Sequence, residues 1–272
     1  MPFAGAADIE VAADGTIYIP ENRLDRIRRL KPVYVFFEAE GVTNGASYQT
    51  GSIAAESIVA IFGQGFASEA AAATSTPLPE ELAGTSVWFT DSAGNVQAAG
   101  LVFVSPEQIN CAVPEGLASG PAQITIRTTQ GEWTAQTTIA AVAPGIFTAN
   151  ADGQGVPAAL AIRVDANGTQ TRVAVFDSDT SPVQAKPIDL GQPDDQVILL
   201  LFGTGLRNYR ETVEVAIGGE AAEVLAAGKQ PEFVGLDQIN VLIPRSLSGR
   251  GEVEVVVVVD GIEANRLLIS VL

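Results

Sequence analysis

The sequence predicts an all-β protein built from two tandem β-sandwiches, with a short β segment before them. This prediction rests on short runs of alternating apolar and polar residues, on turn dipeptides between the runs, and on an internal repeat. β-Branched residues dominate the runs, and they fit a pleated sheet. Evenly spaced short strands are typical of sandwiches. The length of 272 residues accommodates about two domains.

Four segments predict β-hairpins, because each contains two such runs around a turn. The turns lie at Asp91–Asn95, Gln130-Gly131, Asn167-Gly168 and Asp260-Gly261. Asn-Gly and Asp-Gly favour the primed turn types, whose central residues need positive φ. The main helical candidate is the alanine-rich run Glu69–Ala73, but it is too short to be stable alone, and Pro77 and Pro79 follow it.

An internal repeat indicates that one fold is duplicated. The stretch FGQG at Phe62–Gly65 matches FGTG at Phe202–Gly205, and each follows an apolar run. Further along, the triplet QIN occurs at 108–110 and again at 238–240, and a proline follows each copy. Two matches in the same order at similar separations are unexpected by chance. The predicted divisions are residues 1–32, 33–148 and 149–272.

The repeated motifs carry structural expectations. The FGxG glycines are expected to allow positive φ or a close backbone approach at the end of a buried strand. Within QIN, Ile109 and Ile239 are expected to point into the core, while the flanking amides point outward or bond to loop backbone. Pro114 and Pro244 are expected to end that strand, because proline cannot donate to the ladder.

Composition excludes several classes of function. Lys and Arg number 15 against 32 Asp and Glu, for a net charge of −17, which argues against nucleic acid and anionic membrane surfaces as partners. The chain has no histidine, which excludes Ser-His-Asp and Cys-His catalysis and His-based zinc sites. The longest apolar run, Val255–Val259, is far shorter than the roughly 20 residues that span a bilayer, so we expect no membrane insertion.

The candidate catalytic features favour structural roles. Cys111 corresponds to Val241 in the second repeat, so we interpret it as a buried core residue; as the single cysteine it forms no internal disulfide. FGQG and FGTG lack the G-x-G-x-x-G pattern and a following Lys-Ser/Thr, so we interpret them as turns rather than phosphate-binding loops. We therefore expect a protein that is not an enzyme, with no catalytic residue, no cofactor and no dedicated metal ligand.

Two binding alternatives stay open. The carboxylates of Asp165, Asp177, Asp179 and Asp194-Asp195 offer the oxygen ligands that Ca²⁺ prefers, although Asp165 also fits a hairpin turn and no EF-hand spacing is present. The two tryptophans are Trp88 and Trp133. A sugar-binding platform needs them exposed together on one face, whereas a role in the core or on a sheet face is the favoured interpretation.

Two parts of the chain resemble known families. Asp8-Ile9, Asp14-Gly15, Ile17-Tyr18-Ile19, Asn22 and Arg26-Ile27-Arg28 match part of one blade of an NHL-type β-propeller. The match departs from that pattern at Pro20-Glu21. A single partial blade cannot close a propeller ring.

The remainder of the chain carries a second resemblance. The stretches concerned are Gly41–Phe66, Ser105–Pro114, Val142–Leu160 and Val197–Asn208. They resemble a family of bacterial extracellular C-terminal modules of unknown function, related to IPT/TIG immunoglobulin-like domains, which often follow NHL propellers. The resemblance implies immunoglobulin-like sandwiches at an extracellular or cell-surface location. Met1–Glu10 lacks the features of a signal peptide, which leaves either a cytoplasmic chain or a mature form or fragment without its export signal. The resemblance favours the second alternative.

The function that we expect is that of a structural protein acting through β-sheet edges and faces, with self-assembly into a filament by strand donation as one form. Apolar alternation makes Ile9, Val11, Ile17 and Ile19 the predicted partner-binding residues, because their strands need a sheet to pair with, in this chain or in a neighbouring copy. Its partners would be other copies or surface macromolecules. The alternative is a carbohydrate- or protein-binding adhesion module of a larger secreted propeller protein.

Overall fold

A computed structural model of the chain describes residues 9–12, 16–21, 26–30 and 37–272. Over these residues the fold is all-β, as predicted, and its only helical elements are the two 3₁₀ turns Ala39–Gly41 and Arg245–Leu247. The described part contains no helix with the length and apolar character needed to cross a bilayer. The predicted turn at Asp14-Gly15 lies outside the described residues, as do Asp8 and Asn22 of the propeller-like pattern.

The N-terminal segment forms a small antiparallel sheet. Its strands, in spatial order, are β1 (Glu10–Val11), β2 (Ile17–Glu21) and β3 (Arg26–Leu30). The sequence predicted only the first two strands, because the arginines of β3 give it no alternation of apolar and polar residues. Glu21, fully buried, accepts hydrogen bonds from Nε of Arg26 at 2.5 Å and from Nη2 of Arg28 at 2.8 Å. These two ion pairs therefore bind β3 to β2.

The first sandwich consists of two five-stranded sheets. Its strands are β4 (Val42–Asn44), β5 (Ser52–Ala54), β6 (Ile58–Phe62), β7 (Ala71–Ala72), β8 (Ser86–Thr90), β9 (Val96–Ala98), β10 (Gly100–Val104), β11 (Gln108–Ala112), β12 (Gly120–Thr128) and β13 (Gly131–Ala140). One sheet has the order β4-β6-β11-β10-β7 and the other β5-β13-β12-β8-β9. Alternate residues of both sheets, such as Ile61 and Ile124, form one buried cluster.

The second sandwich consists of two six-stranded sheets, with a two-stranded ribbon beside them. Its strands are β14 (Gly145–Ile146), β15 (Leu160–Val164), β16 (Gln170–Ala174), β17 (Phe176–Asp177), β18 (Gln184–Ala185), β19 (Pro187–Ile188), β20 (Gln196–Thr204), β21 (Val213–Ile217), β22 (Glu220–Ala222), β23 (Val224–Lys229), β24 (Asp237–Leu242), β25 (Gly251–Val259), β26 (Ile262–Glu263) and β27 (Leu267–Val271). A second buried cluster runs from Val142 to Val271.

The two sandwiches repeat one strand order. In one sheet, β15-β20-β24-β23 follows the same path as β4-β6-β11-β10, and β16 is an additional strand beside β15. In the other sheet, β19-β27-β25-β21-β22 follows β5-β13-β12-β8-β9. The parallel pair β5–β13 has its counterpart in β19–β27. The first sandwich adds β7 beyond β10, and this strand contains part of the alanine-rich run considered as a helix. Pairing with Phe103 and Val104 outweighs the helical propensity of alanine there.

The QIN motifs have the same structure in both sandwiches. Ile109 and Ile239 are fully buried, as expected. The flanking amides bond to each other instead of to loop backbone: Nε2 of Gln108 donates to Oδ1 of Asn110 at 2.8 Å, and the second copy matches it at 2.7 Å. Cys111 is fully buried, and this burial raises the pKa of its thiol to about 12. The interpretation of Cys111 as a core residue is confirmed.

The four predicted hairpins are present, with two adjustments. Asp260-Gly261 forms a two-residue turn with φ of +48° and +77°, as a primed turn requires. The turn after β12 lies one residue earlier than predicted, because Thr128 pairs with Gly131. The run after Asp91–Asn95 is two strands rather than one, since β9 and β10 belong to different sheets.

Asp91 organises the turn between β8 and β9. Its Oδ1 accepts the backbone N–H groups of Ala93 and Asn95, and its Oδ2 accepts that of Ala118, each at 2.9 Å. The Ala118 amide and then the Asn95 side chain are the main causes that lower the pKa of Asp91 to about 2. The ionised carboxylate is therefore the form that the fold stabilises.

We expect Asp91→Asn to flatten the acid dependence of stability. A carboxyl whose pKa is lowered in the folded state contributes stability that is present above its unfolded pKa, near 4, and is lost as the pH falls towards about 2. Urea unfolding at several pH values should show a shallower loss over this window in the variant than in the wild type. Glu107→Gln, at an exposed carboxylate, is the control and should follow the wild type. Parallel curves for Asp91→Asn and the wild type would contradict this role.

Candidate binding cleft between the two sandwiches

The FGTG motif brings the second sandwich against the first. It ends β20 and places Thr204 and Gly205 beside the connection between the sandwiches. Gly205 has a φ of +77°, and a Cβ atom there would lie 2.2 Å from the carbonyl oxygen of Ala143. Only glycine fits this position, which confirms the expectation of positive φ and close backbone approach.

The side chain of Thr204 joins the two sandwiches directly. Its Oγ1 accepts the backbone N–H of Ile58, at the start of β6, at 2.7 Å. The same hydroxyl donates to the carbonyl oxygen of Gly235 at 2.7 Å. Thr204 is fully buried, so water does not replace either bond readily. One hydroxyl thus satisfies a backbone donor of the first sandwich and a backbone acceptor of the second.

Arg207 adds a second connection beside the first. Its Nε donates to Oδ1 of Asp237 at 2.6 Å, and its Nη2 donates to the carbonyl oxygen of Leu236 at 2.8 Å. Its Nη1 reaches Oε1 of Glu56, on the first sandwich, at 3.5 Å. The side chain of Arg207 is only 6% exposed and that of Asp237 is fully buried. Desolvation raises the pKa of Asp237 despite the opposing hydrogen bonds.

Asn44 anchors the connecting segment from the first sandwich. Its Nδ2 donates to the carbonyl oxygen of Ala143 at 2.8 Å. Its Oδ1 accepts the backbone N–H groups of Ala46 and Ser47 at 2.8 and 3.1 Å. Both ends of the buried amide are therefore engaged, and it holds the start of the second sandwich against the loop that follows β4.

A cleft of about 560 Å³ opens beside these contacts and is lined by both sandwiches. Its apolar lining includes Pro77, Leu78, Pro114, Pro231, Phe233 and Val234. Phe233 and Val234 are 62% and 45% exposed, so two adjacent large apolar side chains face the solvent. Grouped apolar side chains on a surface are typical of interaction sites. An apolar cleft with a few charged groups is the usual form of a recognition site.

The charged groups of the cleft differ in how far they are neutralised. Arg207 is bonded to Asp237 and Glu56, and Nζ of Lys229 lies 3.9 Å from the same Glu56 carboxylate. Glu115 and Glu232 also line the cleft, and within the described part of the chain neither forms an ion pair. The cleft therefore presents an apolar surface with uncompensated negative charge at its margin.

The four predicted partner-binding residues lie elsewhere, in the N-terminal sheet. Ile9, next to β1, is 58% exposed, and Val11, on β1, is 63% exposed. Ile17 is half-buried, and Ile19 is buried at 4% exposure. The alternation predicted from the sequence therefore does not give the four side chains one common environment.

Two of the carboxylates considered for calcium, those of Asp165 and Asp177, serve local turns. Oδ1 of Asp165 accepts the backbone N–H groups of Asn167 and Thr169, and Oδ1 of Asp177 accepts that of Asp179. Across residues 9–12, 16–21, 26–30 and 37–272, no three Asp, Glu, His or Cys side chains are grouped to hold a metal ion.

The two tryptophans lie on opposite faces of one sheet. Trp133 pairs with the buried Ile126 and packs against the first core cluster. Trp88 sits between the buried Val87 and Phe89, so its ring points to the outer face. There the guanidinium of Arg127 lies 5.0 Å from its ring centroid. The two rings therefore do not form a shared platform.

Sequence reasoning missed the residues that build the junction. The repeat alignment contains a signal for Arg207, which stands where the first repeat has Ala67. It contains none for Asp237, because the matching Glu107 is also acidic. A charged residue in place of alanine after the repeated turn indicates a polar contact that the second repeat forms and the first does not. Phe233 gives no such signal, since the sequence alignment pairs it with Phe103; in the structure Phe103 lies on β10, whereas Phe233 lies in the connection after β23.

No protein-family model matches the chain, and no curated protein matches it. The chemistry of the cleft is therefore inferred from its own geometry.

We expect Thr204→Val to weaken the junction specifically. The substitution keeps the shape of the side chain but leaves the Ile58 N–H and the Gly235 carbonyl without partners, at a cost of about 2–4 kcal/mol of unfolding free energy. Exchange of the Ile58 amide, followed by NMR, should accelerate. The matched control is Thr85→Val, which removes one buried hydrogen bond, to Phe66, inside the first sandwich. Unchanged Ile58 exchange in Thr204→Val would show that the hydroxyl does not hold the junction.

We expect Arg207→Met to be strongly destabilising, by about 3–5 kcal/mol, because it leaves the buried Asp237 carboxylate without its cation. Adding Asp237→Asn should recover part of this loss, since a neutral amide oxygen still accepts the Leu206 N–H. Chemical denaturation of the two variants makes the comparison. A double variant less stable than Arg207→Met would argue against an unpaired buried charge as the cause.

Proposed function

We propose that the chain is a non-enzymatic structural module that acts by presenting sheet edges, sheet faces and an apolar cleft to other macromolecules. The observation that carries this proposal is the junction, where buried polar contacts of Thr204, Arg207 and Asn44 hold the two sandwiches as one unit. Such a unit presents surfaces on both sandwiches in a fixed relation. That property suits a scaffold or an adhesive surface.

The ionisable groups of the cleft support a role in contact rather than in chemistry. The donors of Arg207 are directed at Asp237, Leu236 and Glu56, so they serve the junction. The carboxylate of Asp237 accepts from Arg207 and from the backbone N–H of Leu206. Groups engaged in this way are not available as an acid, a base or a nucleophile.

An adhesion module is the second candidate, and the exposed apolar side chains of the cleft favour it. Phe233 and Val234, beside the prolines of the cleft, form an apolar surface of the kind found at the core of protein interfaces. The alternative of a tryptophan platform for carbohydrate is not favoured, because Trp88 and Trp133 lie on opposite faces of one sheet. An extracellular or cell-surface location belongs to this proposal. It rests on the resemblance of the sequence to exported bacterial modules.

The N-terminal sheet would support self-assembly by donating a strand to a neighbouring copy. Among the described residues, β1 is the two-residue end strand of its sheet, and the side chains of Val11 on it and Ile9 beside it are exposed. An exposed edge with apolar side chains favours pairing with another chain. A contact that does not close on itself produces a filament, and divalent cations would screen the repulsion between copies of charge −17.

We expect the full chain to form extended polymers and a chain lacking residues 1–32 to be monomeric. Light scattering with and without Ca²⁺ gives the size of each, and negative-stain electron microscopy gives the shape. An Ile9→Ser/Val11→Ser variant should reduce assembly, whereas Val96→Ser/Ile262→Ser, at side chains 57% and 45% exposed elsewhere, should not. A strict monomer under both conditions, or polymers unchanged by the deletion, would reject strand donation by this segment.

A further inference from the structure

We propose that β23 is an acceptor edge, to which an extended segment of another protein adds as a further strand, with the end of that segment in the cleft. This inference rests on the proposed function and names its binding site and partner class. It is carried by the difference between two strands that occupy the same place in the repeated fold, β10 in the first sandwich and β23 in the second.

In the first sandwich the chain covers its own edge. β7 pairs with β10, with Ala72 opposite Phe103 and Ala71 opposite Val104. The backbone N–H of Ala73 then donates to the carbonyl oxygen of Val102 at 2.9 Å. Further along, the backbone N–H of Leu101 donates to the carbonyl oxygen of Pro79 at 2.7 Å. The segment 71–79 therefore satisfies β10 along its length.

In the second sandwich the equivalent segment is missing. The covering strand of the first sandwich comes from the long connection 63–85 between β6 and β8, whereas residues 205–212 run directly from β20 to β21. Among the described residues, β23 pairs with β24 alone and ends its sheet. A six-residue strand is therefore left with one unpaired side. Such an edge is a template for strand addition.

The register shows which backbone groups are available. The N–H of Gln230 donates to the carbonyl oxygen of Leu236 at 2.9 Å, so Gln230 faces β24. Residues of an antiparallel strand alternate between facing one neighbour and the other. Ala227 and Lys229 therefore direct their N–H and C=O groups to the open side, where an added strand would meet them.

Exposed apolar side chains, which are typical of binding surfaces, lie next to this edge. Leu225, on β23, is 47% exposed, and the strand runs towards the exposed Phe233 and Val234. The facing wall of the cleft is formed by Pro77 and Leu78, which belong to the segment that covers β10. An added strand on β23 would therefore run into an apolar cleft, and its terminal side chain would be enclosed by both sandwiches.

Charge identifies the class of partner. Within the described part of the chain, the cleft carboxylates that form no ion pair are Glu115 and Glu232, and the whole chain carries −17. These charges favour a segment with a basic side chain and oppose a second copy of this acidic chain. The covering run of the first sandwich, which is rich in alanine, shows that small side chains fit such an edge. The partner that we infer is an extended, small-residue segment of another protein with a lysine or arginine beside it.

The probe for this site is a synthetic peptide with the sequence of residues 68–79 carrying Glu69→Lys. Added to the ¹⁵N-labelled full chain, it should slow the exchange of the Ala227 and Lys229 amides by at least about tenfold at saturation, because each would gain a hydrogen bond. The Leu101 amide, already bonded to Pro79, is the internal reference and should not change.

Variants of the edge separate strand addition from general adsorption. Ala227→Pro removes an open N–H, and Leu225→Lys places a charge on the edge; each should weaken peptide binding at least about tenfold. Only Ala227→Pro alters the backbone. Weaker binding by Leu225→Lys as well is therefore not explained by a change in the backbone of β23. The matched control is Leu268→Lys, at a leucine 37% exposed on the other sheet, which should bind like the wild type. The unsubstituted peptide, which retains Glu69, should bind more weakly than its Glu69→Lys form.

Two results would overturn the inference. One is peptide binding that Leu225→Lys and Ala227→Pro leave unchanged, or no slowing of the Ala227 and Lys229 amides at saturation. The other is protection of these amides in the chain alone that disappears on dilution, which would make a second copy the occupant. Loss of polymers on deleting residues 1–32 is a separate measurement. The proposed function therefore stands or falls independently of this site.

Discussion

The hydrogen bonds of the Thr204 hydroxyl are the interaction on which the arrangement of the molecule depends. Each sandwich has its own apolar core, and apolar packing alone does not fix the orientation of one sandwich on the other. A buried hydroxyl that accepts from Ile58 and donates to Gly235 fixes it, because breaking these bonds would leave a buried backbone donor and a buried backbone acceptor unpaired. Arg207 extends this contact to the surface through Glu56. The cleft exists because these contacts set the distance between its two walls.

Duplication with divergence explains how one chain contains both a covered edge and an open one. The repeated core, with Ile109 matching Ile239, keeps the strand order the same in both sandwiches. The connections between core strands are free to differ, since loops at the surface tolerate changes in length. The long connection at 63–85 provides β7, and the short one at 205–212 provides nothing equivalent. An edge that is normally protected becomes available for binding in the second sandwich.

Much of the fold was predictable because it depends on local rules. Asp260-Gly261 needs only its own φ preferences, and the alternation around Ile109 and Ile239 needs only one buried face. The junction was not predictable, because Thr204 and Ile58 are far apart in the chain and nothing local at either position indicates the other. The strand conformation within Glu69–Ala73 was also not predictable, because it depends on pairing with β10. The third N-terminal strand was missed because its arginines are compensated by a buried glutamate, Glu21.

The junction should make the two sandwiches one rigid unit in solution. Residual dipolar couplings of backbone amides, measured separately over the two sandwiches in one weakly aligning medium, report whether they tumble together. We expect both sets of couplings to fit a single alignment tensor with the orientation of the structure. Two tensors of different magnitude or direction would show that the sandwiches move independently and that the junction does not fix them.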